Sequence, residues 1–262
     1  MVRLSFDDIS KQFDTQRGLP RPALNAWLEF VNDLAAGRQL RIIEPGIGTG
    51  RLALPLAAIG HQISGADISR QMLQECERSA SKLKISPRIY LTEADAVSLP
   101  FNDHQFDLGI IAQLLYLVPD WPTVLDELAR LVKPGGHVIH LAEPTSESEA
   151  LALWSSTWRE MIEATGYRHI ELSPTDDQIE AEFLRRWPDV EQHALTNWHF
   201  GQTVAEAMVG YRVRLRPLYA EVSDDVFDHV VDMFLSWAKA SFPDPSTQLG
   251  GTVTLTVLIA ST

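Results

Sequence analysis

The chain has 262 residues, of which 45% are hydrophobic, and it carries a formal net charge of −13 at pH 7. A chain of this length can bury a large core, whereas the negative charge disfavours nucleic acid as a partner, because nucleic-acid binding depends on a positive surface. The sequence contains no run near the ~20 apolar residues of a membrane span and no apolar leader at its start. We therefore expect a cytoplasmic protein that binds neither nucleic acid nor a membrane.

The region from Arg41 to Arg51 predicts a ligand-binding turn. Apolar residues at helical spacing from Pro22 to Leu34 precede it, and it begins with a short apolar run that is typical of a buried strand. This run leads into three glycines on alternate positions: Gly46, Gly48 and Gly50. Glycine lets the backbone turn sharply and approach a ligand closely. The helix that follows offers unpaired N–H groups to polar atoms of a ligand.

Acidic residues flank this turn on both sides. Glu44 lies two positions before the first glycine, and the next predicted strand, His61 to Ala66, leads into Asp67, 17 residues after the last glycine. A carboxylate at about this distance can accept hydrogen bonds from both hydroxyls of a ribose. The alternative is that Asp67 belongs to the N-terminal cap of the helix predicted from Ser69 to Leu83.

Further strands and helices are predicted along the rest of the chain. The strands are expected at Arg88–Thr92, Phe106–Leu115, His137–Ala142, Val190–Phe200 and Thr252–Ala260. The helices are expected at Pro122–Val132, from a cap at Ser146, at Asp176–Trp187, and from Thr203 and Ser223. The nearly uninterrupted apolar character of Phe106–Leu115 indicates a central strand that is buried on both faces.

Five stretches carry a resemblance as a set, because their order and spacing agree throughout. They are Glu44–Gly50, Gly65–Ser69, Glu93–Phe101, Phe106–Leu115 and Leu131–Gly136. This set resembles the S-adenosylmethionine-dependent methyltransferases with a Rossmann-like (class I) fold, over roughly residues 38–144. The resemblance is nearest to the small-molecule branch related to the quinone-biosynthesis (type 11) methyltransferases.

The resemblance implies an α/β fold with a seven-stranded, mostly parallel sheet and an antiparallel last strand. Helices are expected on both faces, with a helical cap inserted after the fifth strand. It further implies a single domain with a lid and helix at 1–37, a cofactor-binding core at 38–144, the cap at 145–189 and C-terminal strands and helices at 190–262. Phe13, Asp14 and Arg17 are lid candidates, and the alternative is a frayed terminus.

The cofactor implied by the resemblance is S-adenosyl-L-methionine, which leaves as S-adenosyl-L-homocysteine. The implied cofactor-binding residues are Glu44, Pro45, Gly46, Gly48, Gly50, Asp67, Ile68, Asp95, Ala96 and Gln113. Glu44 and the glycines would hold the methionine end and the sulfur, Asp67 the ribose, and Asp95 with Ala96 the adenine. No metal is expected, because no cysteine–histidine cluster has metal-ligand spacing.

The implied methyl acceptor is a small molecule. Methyltransferases that act on the amino groups of nucleic-acid bases usually carry a short acidic or amide residue, two prolines and an aromatic residue after the fourth strand, and this chain does not. A base could assist a hydroxyl or enol acceptor, and His140, Glu143 and Tyr116 are the candidates. Each of them also has an ordinary structural role, so we assign no catalytic residue.

Two other interpretations remain open at this point. The chain could be a catalytically inactive scaffold that binds S-adenosylmethionine or its product. It could also be a nicotinamide-dependent oxidoreductase, although the Gly-x-Gly-x-Gly spacing and the Lys133–Gly136 turn argue against that. The tryptophans of the C-terminal half could line a substrate pocket or simply form core. They are Trp154, Trp158, Trp187 and Trp198.

Overall fold

The computed structural model describes residues 19–167, 174–212, 219 and 222–262, so the lid candidates Phe13, Asp14 and Arg17 lie outside the described residues. The helices are α1 (Arg21–Ala35), α2 (Ala53–Ala58), α3 (Arg70–Lys82), α4 (Trp121–Leu131), α5 (Glu149–Glu163), α6 (Asp176–Arg186), α7 (Val204–Met208) and α8 (Asp224–Ser241). The strands are β1 (Arg41–Pro45), β2 (Gln62–Asp67), β3 (Ile89–Glu93), β4 (Phe106–Ala112), β5 (Val132–Ala142), β6 (Thr145–Glu147), β7 (Val190–Thr203) and β8 (Gln248–Ser261).

The chain forms two compact units. The first contains the described residues within Met1–Glu143 and Leu172–Thr196, together with Leu255–Thr262. The second contains the described residues within Pro144–Glu171 and Asn197–Thr254. The organisation as one domain with boundaries after residues 37, 144 and 189 stays a prediction.

The first unit is built on a parallel sheet with the strand order β3-β2-β1-β4-β5. The C-terminal half of β8 pairs with β5 in the antiparallel direction, with Ile259 opposite Ile139. The predicted α/β fold with a mostly parallel sheet and an antiparallel last strand is therefore confirmed. The strand order reverses between β1 and β4, and ligands of such sheets bind at this switch point, beyond the carboxyl ends of the strands.

Strand β4 forms the middle of the first core. Phe106, Leu108, Ile110 and Ile111 are all almost completely buried, as the apolar run predicted. The apolar stripe of α4 packs on the same core through buried Val124, Leu125, Leu128 and Leu131. The core extends to Ile111 near the end of β4 and to Leu115 in the segment that follows it.

The second unit has a core dominated by aromatic side chains. Trp154 and Trp158 of α5 are buried, and both meet Phe234 of α8 edge-on, at ring-centroid distances of 4.9 and 5.3 Å. The indole N–H of Trp158 donates to the hydroxyl of Tyr219 at 2.8 Å. These two tryptophans therefore belong to the core.

Three local features differ from the sequence-based expectations. Strand β4 ends at Ala112, three residues before the predicted end at Leu115. Helix α5 is capped by Ser148, whose hydroxyl accepts from the N–H of Leu151, and not by Ser146. Ser146 instead lies in the short strand β6, opposite Thr252 of β8, which makes eight strands in all among the described residues.

The predicted turn at Lys133–Gly136 is a bulge within β5. Val132 lies opposite Phe106, and His137 lies opposite Leu108, so the residues between them loop out of the ladder. Gly135 has a φ of 77° in this bulge. Among the described helices, none has both the length and the apolar character that crossing a bilayer requires.

Candidate functional site

The glycine turn follows β1 at the switch point of the sheet. Gly46, Gly48 and Gly50 all have positive φ values, of 67°, 55° and 86°. At Gly46 a Cβ would also lie 2.7 Å from Cδ1 of Leu114, which follows β4. The turn is therefore packed directly against the end of β4, and only glycine allows that approach at residue 46.

Asp67 joins the end of β2 to this turn. One carboxylate oxygen accepts from the N–H of Gly48 at 2.8 Å, and the other accepts from the N–H of Ser69 at 2.9 Å. The hydroxyl of Ser69 caps α3 by accepting from the N–H of Met72. Asp67 thus bonds to the glycine turn and supports the start of α3, as the cap interpretation predicts. Its contact with a ribose stays a prediction.

Glu44 lies beneath the turn as a buried carboxyl group. It is 4% exposed, and its Oε2 has no hydrogen-bond partner. The pKa of Glu44 is raised to about 8, chiefly by burial; the charge of Arg51 opposes this shift, and the nearby charge of Asp67 adds to it. A buried polar atom without a partner costs free energy, so this oxygen is a position where a ligand donor would be stabilising.

Arg51 and Glu143 are part of the site although the sequence did not identify the pair. Nη2 of Arg51 lies 2.9 Å from Oε1 of Glu143, and both side chains are mostly buried. Arg51 directly follows the glycine turn, and Glu143 directly follows β5. The pair therefore connects the turn to the carboxyl end of a strand two positions away in the sheet.

The residues proposed for the adenine end lie beyond β2 and β3. Ile68 is 55% exposed, an unusual environment for a large apolar side chain directly after Asp67. The backbone N–H of Ala94 donates to the carbonyl of Asp67 at 3.1 Å, which places Asp95 and the buried Ala96 near the end of β2. Asp95 itself accepts from the N–H of Val97 at 3.2 Å, so it shapes its own turn.

A side-chain network holds the segment after this turn against α4. Glu127 accepts from the N–H of Leu99 at 2.7 Å, and Arg130 donates to the carbonyls of Leu99 and Phe101 at 3.1 and 2.8 Å. Hydrogen bonding to Arg130 holds the pKa of Glu127 below its usual range. The network fixes residues 99–101 to the first core.

The end of β4 carries backbone strain next to the glycine turn. Gln113 has a φ of 56°, a left-handed conformation that is uncommon for a residue with a side chain. Its neighbour Leu114 is the residue that packs on Gly46. Such strain persists where the surrounding structure fixes it, and it is frequent at functional sites.

The three candidate bases lie in different surroundings. Glu143 is paired with Arg51. The hydroxyl of Tyr116 donates to Oδ1 of Asp176 at 2.5 Å, and burial together with this bond raises the pKa of Tyr116. His140 is 3% exposed, and burial lowers its pKa to about 4.

The unpartnered and exposed groups of the site can be compared with the chemical groups of the implied cofactor. The ammonium of a methionine end is the kind of donor that Glu44 Oε2 lacks. The turn bends at glycines and exposes backbone, as a close approach to a ligand requires. Asp67 and the exposed Ile68 lie side by side, as contacts to a ribose and a base require. The residues present therefore fit S-adenosylmethionine.

The comparisons with known proteins agree with this geometry. Residues 43–140 match the family described as "Methyltransferase domain". The chain is 31% identical over 160 residues to a demethylmenaquinone methyltransferase of Desulfitobacterium hafniense, with 58% of this chain and 63% of that protein covered. It is 28% identical over 207 residues to a demethylmenaquinone methyltransferase of Clavibacter sepedonicus, with 75% of this chain and 79% of that protein covered.

Among solved structures, the chain is similar to a putative methyltransferase from Bacillus halodurans. The TM-score is 0.58 at 15% identity, with 90% of this chain and 99% of that chain covered. At this level of identity the likeness concerns the fold. It agrees with the parallel sheet and the antiparallel last strand described above.

Proposed function

Because the chain is a class I S-adenosylmethionine-dependent methyltransferase of the type 11 group, we propose that it methylates a small-molecule acceptor of the quinone type. The observation that carries the proposal is the likeness to demethylmenaquinone methyltransferases, which extends over 207 residues in one case. The matched region includes the glycine turn and the end of β4. The sequence after β4 lacks the base-amine motif, which argues against the amino group of a nucleic-acid base as the acceptor.

The cofactor supplies a methyl group that is already activated, because it is bonded to a positively charged sulfonium. The protein must hold the acceptor in line with that methyl and exclude water, and such positioning can contribute ~7–11 kcal/mol. Glu44, Gly46, Gly48 and Gly50 would hold the methionine end and the sulfur. These assignments, like those of the nucleoside end, are proposals about single residues.

At the nucleoside end, Asp67 would accept from the ribose hydroxyls, and Ile68 would pack against the adenine. Asp95 would accept from the adenine amino group, with Ala96 beside the ring. Pro45 ends β1, and Gln113 follows β4. Both would border the cofactor at the switch point. The strained backbone of Gln113 supports its place there.

The experiment is a methyl-transfer assay with S-adenosylmethionine carrying a tritiated methyl group. The acceptor is a 1,4-naphthohydroquinone without a substituent at carbon 2, kept reduced with ascorbate. Transfer of tritium to the ring, with a methylated product identified by mass spectrometry, would support the proposal. Binding of the cofactor without transfer to the hydroquinone, or transfer to a soluble primary amine instead, would contradict it.

A further inference from the structure

His140 of β5 is a buried histidine with an unused ring nitrogen. Its side chain is 3% exposed, and Nε2 has no hydrogen-bond partner. Within the described part of the chain, the other buried side-chain atoms without a partner are Nε1 of Trp27 and Oε2 of Glu44. An unsatisfied buried polar atom is destabilising. Packing in the core therefore does not explain why a histidine stands at this position.

Apolar residues flank His140 in the sheet and on α6. Its strand neighbours are Ile111 on β4 and Leu258 on β8. The ring lies against Phe183 of α6, with a centroid distance of 6.4 Å. Tyr116 is a further neighbour, at 6.2 Å between ring centroids.

The polar side of His140 is formed by Tyr116 and Asp176. Tyr116 lies in the loop after β4, and its hydroxyl donates to Asp176 at the start of α6. The charge of Asp176 acts on His140 and favours its protonated form. A proton that reached His140 would therefore find a stabilising carboxylate nearby.

The position of His140 places this group beside the switch point. It lies two residues before the end of β5, and β5 pairs with β4. The loop after β4 carries both Leu114, which packs on the glycine turn, and Tyr116, which contacts His140. The same loop therefore connects the proposed cofactor site to the unused nitrogen.

We propose that Nε2 of His140 accepts a hydrogen bond from a ring hydroxyl of the methyl acceptor and takes its proton during methyl transfer. The inference rests on the proposed function and makes it more specific: the acceptor is a hydroxylated aromatic ring. With its own proton on Nδ1, neutral His140 presents Nε2 as an acceptor. Burial lowers the pKa of His140, so the ring is neutral near neutral pH.

The step is balanced without any further reactant. Loss of the hydroxyl proton to Nε2 makes the ring electron-rich, and the ring forms a new bond to the methyl carbon. The carbon–sulfur bond breaks, and its electron pair stays on sulfur, which becomes neutral. The methylated ring carbon then loses its own hydrogen as a proton to water, which restores the aromatic ring. The imidazolium of His140, stabilised by the charge of Asp176, returns its proton to the ring oxygen, so one proton is released overall.

The test uses His140→Phe, with His61→Phe as a matched control. His61 is also a buried histidine of the first unit, but its Nδ1 accepts from the N–H of Leu40 at 3.1 Å. His140→Phe removes an unsatisfied atom, so we expect an unchanged or higher melting temperature and unchanged affinity for S-adenosylmethionine. The rate with the naphthohydroquinone should fall about a hundredfold, the usual scale for a lost general base. His61→Phe should lower the melting temperature and leave the rate of the folded enzyme unchanged.

A second measurement does not depend on turnover. With S-adenosylhomocysteine present, the wild-type protein should bind 1,4-naphthohydroquinone about three- to tenfold more tightly than 1,4-dimethoxynaphthalene, which lacks the hydroxyl protons. His140→Phe should abolish that preference, and His140→Gln, which keeps an acceptor, should restore part of it. Calorimetry gives both affinities.

The outcomes separate the inference from the proposed function. If the wild-type enzyme methylates the hydroquinone and His140→Phe keeps the rate or the binding preference, the inference is wrong and the proposed function stands. If His140→Phe loses stability and cofactor affinity as well as rate, His140 is structural and the inference is again wrong. If the wild-type enzyme methylates an amine and neither binds nor methylates the hydroquinone, both are wrong.

Discussion

The carboxylate of Asp67 accepts a hydrogen bond from the backbone N–H of Gly48 at 2.8 Å, so the end of β2 and the middle of the glycine turn are joined directly. Its second oxygen accepts from the N–H of Ser69. One carboxylate thus orders both the turn and the first turn of α3 before any ribose is bound. The proposed cofactor site is therefore organised by the same carboxylate that is proposed to bind the sugar.

The first prediction concerns Asp67→Asn. The amide has one oxygen in place of two and no charge, so it cannot serve both backbone donors and a ribose. We expect affinity for S-adenosylmethionine to fall ~10–100-fold, the effect of losing a hydrogen bond to a charged group. Asp107→Asn is the control, because Asp107 also accepts a backbone N–H, that of Arg41, but near the amino end of β4. Calorimetry that finds equal affinities for both variants would refute the role of Asp67.

The second prediction concerns the pH dependence caused by Glu44. Burial raises the pKa of this carboxyl from 4.5 to about 8 in the folded protein. The folded state holds a proton that the unfolded state releases, so the free energy of unfolding should fall as pH rises from about 4.5 to about 8. Glu44→Gln should remove this part of the slope. Urea titrations of both proteins across this range measure it.

The affinity for S-adenosylmethionine should rise with pH over the range in which Glu44 loses its proton, whereas the free energy of unfolding falls over that range. An ammonium bound at Oε2 of Glu44 favours the ionised carboxyl, so binding near neutral pH should release a proton from Glu44. Calorimetry in two buffers with different ionisation enthalpies counts that proton. In Glu44→Gln the released proton should disappear, and a count unchanged by the substitution would place the ammonium elsewhere.

A third prediction uses the ion pair of Arg51 and Glu143. The charge of Arg51 opposes the raised pKa of Glu44. Arg51→Gln should therefore raise that pKa further and weaken cofactor binding at neutral pH. Glu143→Gln removes the carboxylate that lies 2.9 Å from Arg51 and should lower the pKa of Glu44. The pH midpoint of cofactor binding should move in opposite directions in the two variants, whereas a common direction would indicate a structural effect only.

The fourth prediction concerns the contact between Gly65 and Ile47. A Cβ at Gly65 would lie 2.2 Å from Cδ1 of Ile47, which is buried in the glycine turn. Gly65→Ala should destabilise the protein by ~1–3 kcal/mol, because an overpacked core must shift. Ile47→Ala makes room for the new methyl group, so the double variant should be more stable than the sum of the single effects predicts. If the changes in the free energy of unfolding, measured in urea, were strictly additive, residues 47 and 65 would not be coupled and the predicted contact would be refuted.

Features that depend on neighbouring residues could be predicted from the sequence. The sequence predicts a helix that begins at Ser69, and the hydroxyl of Ser69 accepts from the N–H of Met72, as a helix cap requires. The burial of β4 followed from its continuous apolar composition. The match of residues 43–140 to the methyltransferase-domain family was also predictable, because five stretches with agreeing order and spacing carry the resemblance.

Features that depend on distant partners could not be predicted. Ser146 was expected to cap a helix, but its segment pairs with β8 more than 100 residues later in the chain. Nothing in the sequence around Gln113 indicates a left-handed backbone, since no glycine is present. The unused nitrogen of His140 and the Arg51–Glu143 pair follow from tertiary neighbours, which local patterns do not contain.

The bonds from Glu127 and Arg130 to residues 99–101 have a consequence for amide hydrogen exchange. A connecting loop usually opens first and exchanges its amide protons early. Here the N–H of Leu99 is bonded to a side chain of α4, so it should exchange on the slow timescale of that helix. The rim next to the proposed adenine site should therefore open less often than an unbonded loop, because opening must first break the bonds to Glu127 and Arg130.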